Sequence, residues 1–240
     1  VVIGNGSTSG NITFNANTIS FTNATIQTAN SILFKPRTAA TTIGVSGGTC
    51  GSACTLQLTD AILTTLSPDV DGNGVGSLII GDSAAGTGTV DISGWDVSGK
   101  TYDVEVYGGT VDLTGGPITW NGGNDLTLYS RTGDFVIDQN FTRNAGTAGD
   151  GSLTIKAAGN ITTTGTRTIG AATAGATGKL NTILWSDAEA APNNNGYIFL
   201  SNVTIASNGG DVILAGGLDN GANGGVAGDG RPDNYAISNA

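Results

Sequence analysis

The chain has 240 residues, 38% of them hydrophobic, with 40 Gly, 5 Pro, no His, and nine Lys and Arg against nineteen Asp and Glu. Without His there is no imidazole base, no Ser-His-Asp or Cys-His pair and no His metal ligand. The net charge of -10 and the scattered basic residues exclude a phosphate-binding patch and so a nucleic-acid partner, and no apolar run of about 18 residues marks a membrane-embedded segment.

The 34 Thr and 22 Asn join strand formers to turn formers, as short strands linked by many turns require. The first apolar alternation runs through Ile12-Thr13-Phe14, Ile19-Ser20-Phe21, Ile26 and Ile32-Leu33-Phe34, in steps of 7, 7 and 6 residues. A second runs through Val90-Asp91-Ile92, Val97, Val104-Glu105-Val106, Val111-Asp112-Leu113, Ile118-Thr119-Trp120, Leu126-Thr127-Leu128 and Phe135-Val136-Ile137. A seven-residue step is also the mark of a coiled coil. Here apolar and polar residues alternate within each unit. Gly94, Gly99, Gly108-Gly109, Gly115-Gly116-Pro117, Gly122-Gly123 and Gly133 lie between units, and a helix does not survive such punctuation. The spacing therefore predicts an all-β chain of short strands, each followed by a brief turn.

Three such units make a coil near 21 residues, which predicts a parallel β-helix (β-solenoid) with three short strands per coil; a β-sandwich or barrel is the competing architecture. Some eleven coils stacked at about 4.8 Å would make a rod on the order of 50 Å long. The whole of 1–240 reads as one segment of a longer protein, with loop insertions near 144–151, 170–178, 186–196 and 216–234. Outward positions are expected to carry Thr, Asp, Ser and Asn.

Cys50 and Cys54, separated by Gly51-Ser52-Ala53, predict a local disulfide in an oxidising compartment, set against a redox pair or half a metal site. Asp69-Val70-Asp71-Gly72-Asn73-Gly74 has oxygen ligands at alternate positions, so Asp69, Asp71 and Asn73 could help to bind Ca2+. The position where a bidentate Glu belongs is Ile80, and a plain polar turn is the other reading. No other cofactor is called for. Outward Asp91, Asp103, Glu105 and Asp112 lie on neighbouring units, either as a solvated polar face or as the start of an acidic cleft.

The stretch Leu180-Asn181-Thr182-Ile183-Leu184-Trp185-Ser186-Asp187-Ala188, then Gly196-Tyr197-Ile198-Phe199-Leu200, then Ile205-Ala206-Ser207-Asn208-Gly209-Gly210-Asp211-Val212-Ile213-Leu214-Ala215-Gly216-Gly217, resembles the repeat region of filamentous-haemagglutinin-like large exoproteins, the two-partner-secretion adhesins. Gly151-Ser152-Leu153-Thr154-Ile155-Lys156-Ala157-Ala158-Gly159-Asn160-Ile161 is similar to their other coils. The resemblance implies a right-handed parallel β-helix, secretion to the bacterial cell surface, and adhesion. The amino-terminal secretion domain of that family carries Asn-Pro-Asn motifs, and no Asn-Pro pair occurs here. The chain thus resembles an internal repeat segment. The expectation is a non-enzymatic stalk that meets a host or neighbouring-cell surface receptor or glycan, or other copies in a surface assembly. A carbohydrate-active enzyme, a polysaccharide lyase or glycosidase, is the alternative.

Overall fold

The computed structural model describes residues 1–5, 10–74, 76–144, 149–172, 177–189, 196–221 and 226–235. Among these the chain is all-β apart from one helical turn, Asp60–Leu63, and no helix is long and apolar enough to cross a membrane. The turn starts where the Thr59 hydroxyl accepts the backbone N–H of Ile62, and it buries Ile62 and Leu63.

The strands pair in parallel, with one exception. In the largest sheet, Ile12–Asn15, Ile32–Lys35, Ser77–Gly81, Asp103–Gly108, Leu126–Ser130, Gly151–Ala157, Leu180–Ser186 and Val212–Gly216 lie side by side in chain order. From Asp103–Gly108 to Val212–Gly216, two further strands of the chain intervene between successive members of this sheet. A five-stranded sheet runs Asp96–Val97, Ile118–Asn121, Phe141–Asn144, Arg167–Ala172 and Val203–Ile205. The other three sheets hold three, three and four strands. The exception to parallel pairing is Asn234–Tyr235, which runs antiparallel against Ala215 and Gly216.

Register turns the period of two into a core. One inward column is Ile12, Ile32, Leu78, Val104, Leu126, Leu153, Thr182 and Val212; its neighbour is Phe14, Phe34, Ile80, Val106, Leu128, Ile155, Leu184 and Leu214. From Ile32 to Leu184 these side chains are buried, most of them completely. A one-residue slip would put every one of them on the opposite face, so the apolar alternation fixes the pairing.

All seven units of the second sequence run are strands. The first run departs from expectation. Ile19 to Phe21 is not a strand, and Phe21 instead sets its ring edge-on to Phe14 with centroids 5.1 Å apart. Strand partners lie 22 residues apart from Val104 to Leu126, near the expected coil, but 46 apart from Ile32 to Leu78. That wide step holds the Cys50–Cys54 loop, the helical turn and the strands Ile43–Val45 and Leu56–Leu58. The longest parallel stack is accordingly eight strands, about 34 Å at 4.8 Å per step, shorter than the eleven coils that a constant period predicts.

The insertion bounds shift too. The expected loop 170–178 begins inside the strand Arg167–Ala172, and 216–234 starts in Val212–Gly216 and ends in Asn234–Tyr235. Residues 145–148, 173–176, 190–195 and 222–225 of the four insertions lie outside the described residues.

Leu128 sits at the middle of its column with no exposed surface. Leu128→Ala should lower unfolding stability by about 2–5 kcal/mol, while Thr127→Ala beside it, facing outward, should stay within about 0.5 kcal/mol. Urea denaturation followed by circular dichroism measures both.

Candidate functional site

The cysteine loop folds back over a neighbouring strand. Cys50 and Cys54 are joined by an S–S bond of 2.02 Å between the paired strands Ile43–Val45 and Leu56–Leu58. Asp91, in register with Gly44 on one side and Asp112 on the other, holds this loop down. Its Oδ2 accepts the backbone N–H of Thr49 (2.8 Å) and of Cys50 (2.7 Å), and its Oδ1 accepts the Thr114 hydroxyl (2.6 Å). A Cβ on Gly48 would collide with the Asp91 carbonyl, so glycine is needed for this approach. Asp91 is 2% exposed, which corrects its expected place on a solvated face: it points outward from its strand and the loop covers it.

The four acids singled out in the sequence do not converge. Asp91 and Asp112 belong to the four-stranded sheet, Asp103 and Glu105 to the largest one. Glu105 Oε2 accepts the Tyr107 hydroxyl (2.5 Å). Asp103 Oδ1 accepts the backbone N–H of Asp125 (2.8 Å). Burial raises the Asp103 carboxyl above its ordinary value; the Asp125 N–H opposes this, and the charges of Asp125, Glu105 and Asp69 reinforce it.

The Asp69 turn satisfies itself. Asp69 is 2% exposed with φ +49°, and both its carboxylate oxygens face the N–H of Gly74 (3.2 and 3.1 Å). Asn73 Nδ2 donates to Asp71 Oδ2 (2.9 Å). The three residues thus lie in one turn, with Asp69 tied to its backbone and Asp71 tied to Asn73. Among the described residues no group of three or more Asp, Glu, His or Cys is gathered as a metal site.

Two features escaped the sequence reading. The first is a ladder of polar residues, each just before an inward residue, apolar in every case but Thr182. Asn11 Oδ1 accepts Ser31 N, Ser31 Oγ accepts Ser77 N, Asp103 Oδ1 accepts Asp125 N, Asp125 Oδ1 accepts Ser152 N, and Asn181 Oδ1 accepts Asp211 N, at 2.8–3.2 Å. Asp134, Asn160 and Tyr197 N form a second ladder (2.7 and 3.1 Å). The signal is the recurring Gly-polar-apolar triplet, as in Gly76-Ser77-Leu78, Gly133-Asp134-Phe135 and Gly159-Asn160-Ile161.

The second is an outward row in register: Tyr107, Tyr129, Lys156 and Trp185. The two tyrosine rings meet edge-on at 6.4 Å, and the Lys156 ammonium lies 4.1 Å from the Trp185 ring centre. Burial depresses the Lys156 ammonium, against the opposing charges of Asp219 and Glu105. The row fastens two insertions at their roots: the Tyr129 hydroxyl donates to the Ala188 carbonyl (2.6 Å) and Trp185 Nε1 to the Gly217 carbonyl (2.7 Å). Each of these residues is the fourth after its ladder position, as in Asp103-Val104-Glu105-Val106-Tyr107, a pattern visible once the strands are aligned.

The second insertion is held by carboxylates as well. Asp219 accepts the N–H groups of Gly228 (2.5 Å) and Gly230 (2.8 Å), and Asp233 accepts that of Asn220 (2.6 Å).

Asn11, Asn140, Asn160 and Asn181 make the ladder bond without a charge. Asp103→Asn should therefore keep the bond to Asp125 and remove the repulsion. A carboxyl whose folded pKa is raised weakens the fold at neutral pH, and that penalty disappears as pH falls through the folded value toward the ordinary one near 3.9. The variant should melt about 1–3 °C higher at pH 7 and converge with the parent below about pH 4. Thermal denaturation across that range checks it. The Asp82 carboxyl is shifted the other way, downward, by bonds from Ala84 and Lys35 that outweigh its burial, and it is common to both proteins.

No protein-family model, curated protein or solved structure matches this chain.

Proposed function

We propose that the chain is a segment of a right-handed parallel β-helix with three strands per coil, and that it serves as a rigid extracellular stalk displaying loops for attachment. The parent would be a large secreted or surface exoprotein of the filamentous-haemagglutinin-like kind, with a host or neighbouring-cell receptor or glycan, or further copies, as partner. The parallel stacking in register supports the solenoid, since a repeat of this type buries its apolar columns only against the next repeat. Val212 and Leu214, both in inward columns, are each 44% exposed, and a further coil stacked there would cover them.

The observation that carries the display role is the outward row. Tyr129 and Trp185 spend their polar tips on the loop roots at Ala188 and Gly217, so two insertions rise from one rigid face. The loops can vary without disturbing the columns beneath them. Catalysis by paired carboxylates has no corresponding support, because Asp91 is engaged by three hydrogen bonds and Asp103 and Glu105 belong to another sheet. Calcium at Asp69, Asp71 and Asn73 is not required by this role.

Replacing 219–231 by a short Gly-Ser linker should leave the circular dichroism spectrum unchanged and abolish attachment to target cells. Equal attachment by the variant would confine the segment to a spacer role. Polysaccharide turnover lost on changing Asp112 would instead favour the enzyme.

A further inference from the structure

A cavity of about 160 Å3 lies between the helical turn Asp60–Leu63 and the segment from Gly94 to Tyr102. Trp95 and Tyr102 line it and are only 3% and 5% exposed. Among the described residues neither the indole N–H of Trp95 nor the Tyr102 hydroxyl has a hydrogen-bond partner, yet neither is sealed from solvent. This separates them from Trp120, whose Nε1 is also unpartnered but fully enclosed in the core. Buried aromatic side chains with polar tips ordinarily find partners. Both residues line this cavity, so a ligand seated there can supply the missing partner.

The rim supplies the complementary groups. Asp60 accepts the Ser46 hydroxyl (2.6 Å) through Oδ1, and Asp96 accepts Ser98 N (2.9 Å) through Oδ1, which leaves the second oxygen of each carboxylate. Lys100, the one basic residue between 38 and 130, is half-buried and makes no ion pair. Leu63 and Val97 add an apolar wall. Lys100 and Tyr102 also line a second hollow, of about 390 Å3, whose other residues include Asp69 and Asp71.

This set of groups selects a class of ligand. An anion would meet Asp60 and Asp96, a small cation would meet Lys100, and an apolar molecule would leave the phenol and indole tips unpaired at a cost. A polyhydroxylated ring suits all of them, because each hydroxyl both donates and accepts, and its C–H face can lie on the apolar wall. The volume is below the usual 300–1,000 Å3 of a drug-sized site and suits a single ring. We infer that this cavity binds one neutral pyranose of a glycan, with the adjoining hollow taking the next sugar. None of the lining residues belongs to the insertions at 186–196 and 216–234, and the site can stand whether or not those mediate attachment.

The test uses the full chain and the methyl glycosides of glucose, galactose, mannose and N-acetylglucosamine, titrated to tens of millimolar by calorimetry. At least one should bind. Tyr102→Phe, which removes a single oxygen, should weaken it about 3- to 10-fold. Lys100→Ala, at the rim, should weaken it similarly with an unchanged melting temperature, which keeps the test valid should the buried Tyr102 variant fold poorly. The 219–231 linker variant should bind as the parent does. Binding by none of the four glycosides, or binding unchanged in both Tyr102→Phe and Lys100→Ala, would overturn the assignment.

Discussion

Stacking of like side chains in parallel register is the constraint from which the remaining features follow. At about 4.8 Å per strand, a buried Leu in one strand touches the residue at the same register position in the next. The columns Ile32, Leu78, Val104, Leu126, Leu153 and Phe34, Ile80, Val106, Leu128, Ile155 are therefore continuous, and burial is complete only where both neighbours are present. That condition holds in the middle of the stack and lapses at Val212 and Leu214. Each strand is thus stabilised by its neighbours more than by itself, and the periodicity that makes the sequence readable is the condition that makes it fold.

The same stacking applies to polar positions, where like neighbours are a burden if they are charged. The ladder before the apolar columns solves this in two ways. Some steps use Asn or Ser, which accept the next backbone N–H with no charge. Others use Asp, and where Asp103 and Asp125 follow one another the charges act on each other. Asp91 and Asp112 repeat this on another sheet, and there Asp91 is offset by three donors. Burial, followed by the charges of Asp91 and Asp138, raises the Asp112 carboxyl. At Asp103 an acidic residue trades stability for a hydrogen bond that an amide would supply as well.

Strand positions from 90 to 137 were legible in the sequence because alternation with a seven-residue step has one simple physical meaning, a row of short strands. The Ile19-Ser20-Phe21 unit misled because local alternation is insensitive to what lies opposite; Phe21 packs on Phe14 without a backbone partner. The wide step between Ile32 and Leu78 was invisible because it interrupts the period on which the reading depends. Asp91 looked solvated because alternation assigns a face, and only the fold-back of the cysteine loop decides whether that face is covered. The cavity at Trp95 and Tyr102 was hidden for a related reason: it is bounded by residues some 35 positions apart, from the helical turn and a later bend.

The insertions obey a rule that ties them back to the stack. Every loop that leaves a parallel ladder strands backbone carbonyls at its root, and each such group left buried and unpaired would cost more than a hydrogen bond returns. Here a side chain in another rung meets them. Arg131 donates to the carbonyls of Ala84 (2.7 Å) and Gly86 (3.1 Å), Asn121 to that of Lys100 (2.8 Å), and Asn208 to that of Gly178 (2.9 Å). Tyr129 and Trp185 do the same for Ala188 and Gly217. Arg143 shows how strong the demand is. It stands in register with Trp120, is 1% exposed, and burial lowers its guanidinium from its ordinary value against the pull of Asp150. It nevertheless reaches the carbonyls of Gly178 (3.0 Å) and Lys179 (3.2 Å). Arg143 thus serves as the donor at the point where the chain rejoins the ladder at Leu180, which ties the placement of this loop to the rung beneath it.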